Sequence, residues 1–224
     1  MQTKLHSLPA HKVLENVDNR DSSYSSEVEG ITLSIHPHVY PSEKFRTTSF
    51  VLNSMRDCFR KKVFCDMGCG PGIMGLYALK HGAARVVQAD INPYAIQNAK
   101  DNNSQNGYDS QQITTYLSDC FDSVPQEKFD IIAFNVPFHN DEVDTSNPLS
   151  RAFYDPGFMS VRRFLEQATS YSHEGTEIYI AFSNKGDTRL LEEIFSSSKF
   201  SWELWKVVNQ NEEYDNRIYK LYYS

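Results

Sequence analysis

The sequence has few of the features that mark secreted or membrane-spanning proteins. It contains four cysteines in 224 residues, and no apolar run approaches the 18 residues of a membrane-spanning helix. The first residues, Met1-Gln2-Thr3-Lys4-Leu5-His6, lack the apolar segment of a signal peptide. The cysteines show neither C-x-x-C spacing nor a disulfide framework, so we expect reduced thiols in a cytoplasmic protein. A zinc site at Cys65 and Cys69 is disfavoured, and no metal is predicted.

An excess of basic residues is also missing. Lysine and arginine number 22 against 29 acidic residues, a formal net charge of -7. The imbalance is uneven, because residues 1–62 carry +2 and residues 63–224 carry −9. Domains that hold a phosphodiester chain usually present a basic face. A nucleic-acid partner is therefore disfavoured without being excluded, and a membrane partner is not expected.

Apolar segments typical of strands alternate with helical segments from Val63 onward. We predict strands at 63–66, 85–90, 112–117, 129–135 and 177–183, with helices at 72–81, 93–106, 157–172 and 187–198. This alternation predicts an α/β fold whose parallel sheet is covered on both faces. Two strands without a helix between them, Ser201–Val208 and Arg217–Tyr222, are joined by Asn209–Asn216 and predict a terminal antiparallel hairpin.

Residues 1–29 are polar. Ile31, Leu33 and Ile35 alternate with polar residues and predict a half-buried strand. A helix is expected to follow, capped by Ser42 or Thr47 and running to about Phe59. We therefore divide the chain into an N-terminal extension or lid, residues 1–45, and a domain of residues 46–224.

The segment Val63–Gly72 organises the fold. A short buried strand ends in Asp66 and opens into glycines at 68, 70 and 72, followed by a helix. Glycine permits φ > 0 and lets a ligand approach bare backbone, and the helix N-terminus presents unpaired N–H groups. The pattern predicts a nucleotide-type cofactor, but the G-x-G-x-x-G spacing of dinucleotide sites is absent.

Cys65-Asp66-Met67-Gly68-Cys69-Gly70-Pro71-Gly72 resembles the first motif, (D/E)-x-G-x-G-x-G, of class I S-adenosylmethionine-dependent methyltransferases. The strand ending in Asp90 matches their second motif, and the terminal hairpin is similar to that of their Rossmann-like seven-stranded sheet. The resemblance implies S-adenosyl-L-methionine as cofactor, with the glycine turn on its methionine portion, Asp90 on the ribose and Asp119 on the adenine. The cofactor-binding set that it implies is Asp66, Gly68, Cys69, Gly70, Gly72, Asp90, Ile91, Asp119, Cys120 and Asn135.

The fourth predicted strand of this domain ends in Asn135-Val136-Pro137-Phe138, at the edge where open α/β sheets bind ligands. These four residues resemble the (N/D/S)-P-P-(Y/F) motif of methyltransferases that modify a planar nitrogen. Such a nitrogen is a weak nucleophile, and the Asn135 side-chain oxygen and the Val136 carbonyl would accept its N–H bonds as positive charge develops. Phe138 would stack on the flat group. Val136 departs from the family's proline, which leaves the loop less rigid.

A looser resemblance concerns the segment before the first motif. Val39–Thr47 looks like the part of glutamine and small-domain rRNA methyltransferases that closes over the cofactor. Tyr40, Phe45, Arg46 and Thr47 are therefore candidate lid or substrate residues; the alternative is a hydrophobic staple and helix cap. His139, directly after the motif, is a further candidate for substrate contact.

We therefore predict an S-adenosylmethionine-dependent N-methyltransferase acting on an amide or amine of a small molecule or of a protein glutamine. The alternatives are an rRNA or tRNA base-amine methyltransferase, an O- or C-methyltransferase of a small metabolite, and a non-catalytic cofactor-binding scaffold. The sequence does not indicate the substrate, the oligomeric state or the role of residues 1–30.

Overall fold

The computed structural model describes residues 9–144, 146–209 and 214–223. Its strands are β1 Tyr24–Val28, β2 Ile31–Ile35, β3 Val63–Met67, β4 Arg85–Asp90, β5 Ile113–Leu117, β6 Phe129–Asn135, β7 Ser172–Ser183, β8 Phe200–Asn209 and β9 Asp215–Tyr223. Its α-helices are α1 Ala10–Asp18, α2 Arg46–Met55, α3 Ile73–Lys80, α4 Pro93–Gln105, α5 Met159–Tyr171 and α6 Thr188–Ser196.

Seven strands form one sheet in the order β5-β4-β3-β6-β7-β9-β8. The pairings from β5 through β7 are parallel, whereas β9 is antiparallel to both β7 and β8. The predicted parallel sheet with a terminal antiparallel hairpin is confirmed. Strands β3, β4 and β6 are neighbours, so their last residues, Met67, Asp90 and Asn135, lie at the same edge of the sheet. Successive strands are added on opposite sides of β3 at this point, which is where open α/β sheets bind ligands.

Hydrophobic residues cover both faces of this sheet. Along β3, Phe64 and Cys65 are both buried but belong to different clusters, because successive side chains point to opposite faces. Cys65 shares its cluster with Phe164 of α5 and Phe195 of α6, whereas Phe64 packs with residues of α2 and α3. Burying each such large side chain contributes about 1.5–3 kcal/mol. This packing fixes β3 at the centre and so positions the turn that follows it.

Two N-terminal elements were not predicted. Helix α1 buries Val13 and Val17, four residues apart, in a polar segment. Strand β1 pairs with β2 as a separate hairpin through Glu29 and Gly30, which both have positive φ. Strand β1 was not predicted because most of its residues are polar. Val28 and β2 share a hydrophobic cluster with α2 and α3. The division at residue 45 stays a prediction.

Asparagines of α4 tie β2 to the domain. Asn98 and Asn102 accept hydrogen bonds from the backbone N–H groups of His36 (3.0 Å) and Ser34 (2.8 Å), and both donate to the Ser34 carbonyl. The fully buried Asn102 also donates to the Pro71 carbonyl, at 2.8 Å, in the glycine turn. These side chains satisfy β2 groups that lack a strand partner on that side.

Several local predictions need correction. The predicted caps Ser42 and Thr47 are wrong, because α2 begins after Phe45 without a side-chain cap, and it ends at Met55 rather than near Phe59. Strand β7 begins at Ser172, five residues before the predicted start, so α5 ends at Tyr171. The Asn92 cap with Pro93 behind it is confirmed, since the Asn92 side chain accepts from the Tyr94 N–H at 3.0 Å.

The four cysteines are free thiols, as predicted. Within the predicted hairpin loop Asn209–Asn216, residues 210–213 lie outside the described residues. In the described part of the chain, no helix is both long and apolar enough to cross a membrane.

Candidate functional site

A cleft opens at the carboxyl ends of β3, β4 and β6. Most residues singled out in the sequence line it, although they come from distant parts of the chain. The predicted residues that line the cleft are Tyr40, Thr47, Asp66, Gly68, Cys69, Gly70, Asp90, Ile91, Asp119, Cys120, Asn135, Val136, Pro137 and Phe138.

The glycine turn between β3 and α3 combines two roles of glycine. Gly68, Gly70 and Gly72 all have positive φ, at 66°, 53° and 90°. A Cβ on Gly70 would meet nothing within 4 Å, so the backbone there borders open space in the cleft. Gly72 does not line the cleft; a Cβ there would lie 3.2 Å from the Ala99 Cβ, so tight packing against α4 explains this glycine.

Asp90 stands at the end of β4. Its two carboxylate oxygens accept the backbone N–H groups of Gly70 (2.9 Å) and Asn92 (2.8 Å). Burial raises the pKa of Asp90, and these hydrogen bonds oppose that rise. The carboxylate therefore holds the glycine turn against β4 while its remaining lone pairs are available to hydroxyl groups.

Asp66 is only 3% exposed and accepts the Gly75 backbone N–H at 3.1 Å. Burial raises the pKa of this carboxyl to about 7. Near neutral pH the group is therefore poised between its neutral and charged forms. A ligand cation close to Asp66 would favour the ionised form.

Asp119 lies on the loop after β5 and lines the cleft. Arg151 lies 3.3 Å and Arg163 lies 3.8 Å from its carboxylate oxygens. Cys120 adopts a φ of 49°, and burial raises its thiol pKa to about 12, so it remains protonated. Arg151, which also lines the cleft, was not predicted because nothing in its local sequence distinguishes it.

The loop after β6 presents Asn135 to the cleft. Within the described residues its side-chain carboxamide makes no hydrogen bond, while the Val136 N–H binds the Ala181 carbonyl at 3.2 Å. The Phe138 ring packs edge-on against Phe182, with centroids 6.4 Å apart. A Cβ on Gly186 would lie 2.3 Å from the Phe138 carbonyl oxygen, so only glycine fits behind this residue.

A second cavity continues from the cleft past Phe138; we call it the chamber. It is lined by residues from six segments, 9–13, 40–47, 138–139, 152–153, 183–185 and 214–216. Tyr40, Phe45, Arg46, Thr47 and His139, the candidate lid and substrate residues, all line it.

The sequence interpretation missed the other side of the chamber. Its missed residues include Val13 of α1, Lys185 after β7 and Asn216 of β9. Only the helical spacing of Val13 and Val17 gave a local signal. The rest are brought together by sheet order alone.

The residues of the cleft fit S-adenosyl-L-methionine. That cofactor carries a sulfonium, an ammonium and a carboxylate, and is therefore a net cation. The acidic side chains lining the cleft, Asp66, Asp90 and Asp119, outnumber the one arginine there. The open space beside Gly70 accepts a ligand against bare backbone. In the described part of the chain, no group of three or more His, Cys, Asp or Glu side chains is arranged to hold a metal ion.

Comparison with known proteins agrees with this chemistry. A family model described as methyltransferase small domain matches residues 30–215. A Methanocaldococcus jannaschii protein provisionally named protein N5-glutamine methyltransferase is 32% identical over 162 residues, covering 70% of this chain and 79% of its own. Ribosomal RNA small subunit methyltransferase C of Haemophilus influenzae is 29% identical over 157 residues. That match covers 69% of this chain but only 42% of the relative, so the chain spans less than half of that protein.

A solved structure supports the fold independently. The 16S rRNA N2 G1207 methyltransferase of T. thermophilus, solved with AdoMet and guanosine, superposes with a TM-score of 0.66 at 19% identity. The superposition covers 91% of this chain and 50% of the other. The predicted fold and cofactor class are confirmed: this chain belongs to the methyltransferase small domain family and is a class I S-adenosylmethionine-dependent methyltransferase.

Proposed function

We propose that this protein transfers a methyl group from S-adenosyl-L-methionine to a planar amide or amine nitrogen. The observation that carries the proposal is the Asn135 carboxamide, which lines the cleft beside Phe138 with no hydrogen bond to any described residue. A polar group in that state has its hydrogen-bonding capacity free for a ligand. The M. jannaschii relative, whose name specifies glutamine nitrogen, supports the same acceptor chemistry.

The cofactor supplies an electrophilic methyl group when bound. The chain's own residues would position the acceptor nitrogen that receives this methyl group. The Asn135 oxygen and the Val136 carbonyl accept the N–H bonds of the acceptor, which stabilises the positive charge that develops on its nitrogen. Phe138, braced by Phe182, fixes the plane of the acceptor.

We assign the three parts of the cofactor to different residues of the cleft. Asp66 and the turn Gly68–Gly72 hold the methionine portion, Asp90 with Ile91 the ribose, and Asp119 with Cys120 the adenine. The open backbone at Gly70 and the free lone pairs of Asp90 support this assignment. A cytoplasmic location remains a prediction from the reduced cysteines.

A base amine of rRNA or tRNA is the second candidate, because relatives such as the H. influenzae enzyme are named for ribosomal RNA. The net charge of -7 weighs against a phosphate-rich partner. O- or C-methylation and a cofactor-binding scaffold are further alternatives. Neither of these two functions requires an amide side chain that binds the N–H groups of an acceptor.

Replacing Asn135 by Ala tests the proposal. Formation of S-adenosylhomocysteine would be measured with small amides, small amines, a glutamine peptide and tRNA, alongside calorimetric binding of the same nucleotide. We expect methyl transfer to a nitrogen to fall by on the order of 10²-fold while nucleotide affinity changes little, because one preorganised acceptor is lost.

The matched control is Asn53→Ala, which removes an exposed carboxamide of α2 that binds Glu29. It should leave both quantities unchanged. Equal loss of nucleotide affinity and rate in Asn135→Ala would show that Asn135 is structural. Methyl transfer to oxygen or carbon alone would contradict the proposed acceptor.

A further inference from the structure

The chamber contains a buried polar group that no protein partner explains. Asn216 is 3% exposed and lines both the cleft and the chamber. Its backbone pairs with Ser183 of β7, whereas its side-chain carboxamide makes no hydrogen bond to any described residue. An amide at a cavity wall without a protein partner has its hydrogen-bonding capacity free for a ligand or water. Asn216 is therefore a ligand-facing group that the methyl-transfer assignment does not use.

The electrostatics of the chamber differ from those of the rest of the chain. Arg46 and Lys185 both line it, and no Asp or Glu does so within the described residues. Arg46 makes no ion pair among those residues, and the Lys185 ammonium lies 3.9 Å from the Tyr214 ring centroid rather than beside a carboxylate. Both side chains are exposed, so they stand at the rim of the chamber. Two cations that lack a counter-charge among the described residues suit an anionic ligand.

Aromatic and aliphatic side chains form much of the chamber wall. Tyr40 stacks on Phe45 with centroids 5.0 Å apart and meets Phe153 edge-on at 5.1 Å. Val13 of α1 packs in the same cluster as Phe153, so α1 forms one side of the chamber. The cavity volume is about 310 Å³, at the small end of the range for pockets that enclose small molecules.

We propose that the acceptor is a small, flat molecule carrying a carboxylate. The aromatic walls enclose its flat part, Asn216 hydrogen-bonds its polar edge, and Lys185 and Arg46 pair with its anionic group. This inference rests on the proposed N-methyltransferase function and narrows its substrate class. A cavity of about 310 Å³ holds a small carboxylate as a whole, whereas it could take only about one residue of a protein or an RNA.

The test uses two probes that have the same shape but differ in charge. 4-Aminobenzoate and 4-aminobenzamide both carry a planar aryl amine, but only the first is anionic. Calorimetry on the full chain with saturating S-adenosylhomocysteine measures their binding without requiring turnover. We expect 4-aminobenzoate to bind at least about tenfold more tightly than the amide, the gain typical of one charge-assisted contact.

Three variants locate that preference. In Lys185→Gln and in Arg46→Gln the ratio of the two affinities should fall to about threefold or less. Lys199→Gln, at an exposed lysine that does not line the chamber, should leave the ratio unchanged. Asn216→Ala should weaken both probes by a similar factor, about tenfold. Circular dichroism melting verifies that each variant is folded.

Two outcomes overturn the inference: equal affinity for the two probes, or a glutamine peptide or tRNA methylated with higher kcat/KM than every small acceptor in the screen. The proposed function fails separately. If 4-aminobenzoate binds selectively but no nitrogen compound is methylated, the acceptor atom is wrong while the chamber's preference for a carboxylate stands.

Discussion

The cleft and the chamber adjoin at Phe138 but are opposite in charge. The cleft is lined by three aspartates and one arginine, and Asp119 is partly neutralised by Arg151. The chamber is lined by two cations and no acid among the described residues. An acidic surface suits a cofactor with a sulfonium and an ammonium, and a basic one suits an anion. The two cavities therefore select ligands of opposite sign.

The difference in charge accompanies a difference in construction. The cleft is built at the ends of neighbouring parallel strands, where a short motif determines each turn. The chamber is assembled from α1, the segment before α2, two loops and the start of β9. Catalytic scaffolds commonly vary in this way, with a conserved core and variable loops that set specificity. Each prediction below tests whether the two cavities act independently.

The largest effect is expected at Asp90. In Asp90→Ala, affinity for S-adenosylhomocysteine should fall by about 100-fold, because charge-assisted hydrogen bonds contribute about 1.5–3 kcal/mol. Binding of 4-aminobenzoate at a saturating concentration of nucleotide should change less than about threefold. Calorimetry measures both affinities. The control is Glu142→Ala, which removes an exposed acid outside the cleft and should alter neither.

Because Asp90 also accepts the Gly70 and Asn92 N–H groups, the melting temperature of the variant must be measured in parallel. A folded Asp90→Ala protein with unchanged nucleotide affinity would contradict the ribose assignment. Equal losses at both sites would show that the cavities are coupled.

A smaller effect is expected on the chamber side. In Gly186→Ala, the new Cβ would lie 2.3 Å from the Phe138 carbonyl oxygen and 2.6 Å from the Phe182 ring, so the loop after β6 must shift. We expect kcat/KM for the acceptor to fall about tenfold, since a displacement of the stacking residue weakens alignment. Nucleotide affinity should be retained.

Gly175→Ala is the control, because a Cβ there meets nothing within 4 Å and the residue lies at the far end of β7. Its positive φ of 91° will cost some stability, so its melting temperature is recorded alongside its rate. Unchanged acceptor kinetics in a folded Gly186→Ala protein would show that the position of Phe138 does not limit the reaction.

The contrast in construction also explains what the sequence could predict. The strand ends with Asp66, Asp90 and Asn135 could be predicted because each of these residues lies within a few positions of an apolar segment. The β–α alternation predicted a parallel sheet, whose carboxyl strand ends share one edge, whereas the order of the strands came only from the structure. Their individual roles remain predictions.

The chamber could not be read in this way. Asn216 and Lys185 lie far from Tyr40 in sequence, and the three residues line one chamber only because β9 inserts between β7 and β8. Strand β1 and the α2 cap were missed or wrong for a related reason. Tertiary contacts stabilise β1 in place of local signals, since it pairs with β2 and its Val28 packs in the cluster formed with α2 and α3.

The last effect, no larger than that of Gly186→Ala, is a pH dependence confined to the cleft. Asp66 has its pKa raised to about 7 by burial, and its neighbours Cys65 and Cys69 remain protonated because burial raises their thiol pKa values as well. Burial raises the pKa of Asp90, the other nearby acid, and its backbone N–H donors oppose that rise. In the proposed assignment Asp66 faces the methionine portion of the cofactor, which carries an ammonium.

A cation binds the ionised form of Asp66, so below pH 7 binding must first remove a proton from this group. Affinity for S-adenosylhomocysteine should therefore fall about tenfold between pH 8 and pH 6, and binding at pH 6 should release a proton. Calorimetry in two buffers of different ionisation enthalpy measures both quantities. Asp66→Asn should bind more weakly at pH 8 and show almost no change with pH.

If the variant keeps the pH dependence of the parent protein, another group titrates and the methionine portion does not lie beside Asp66. If 4-aminobenzoate binding follows the same pH profile as the nucleotide, the cleft and the chamber respond to one charge, and they are not independent sites.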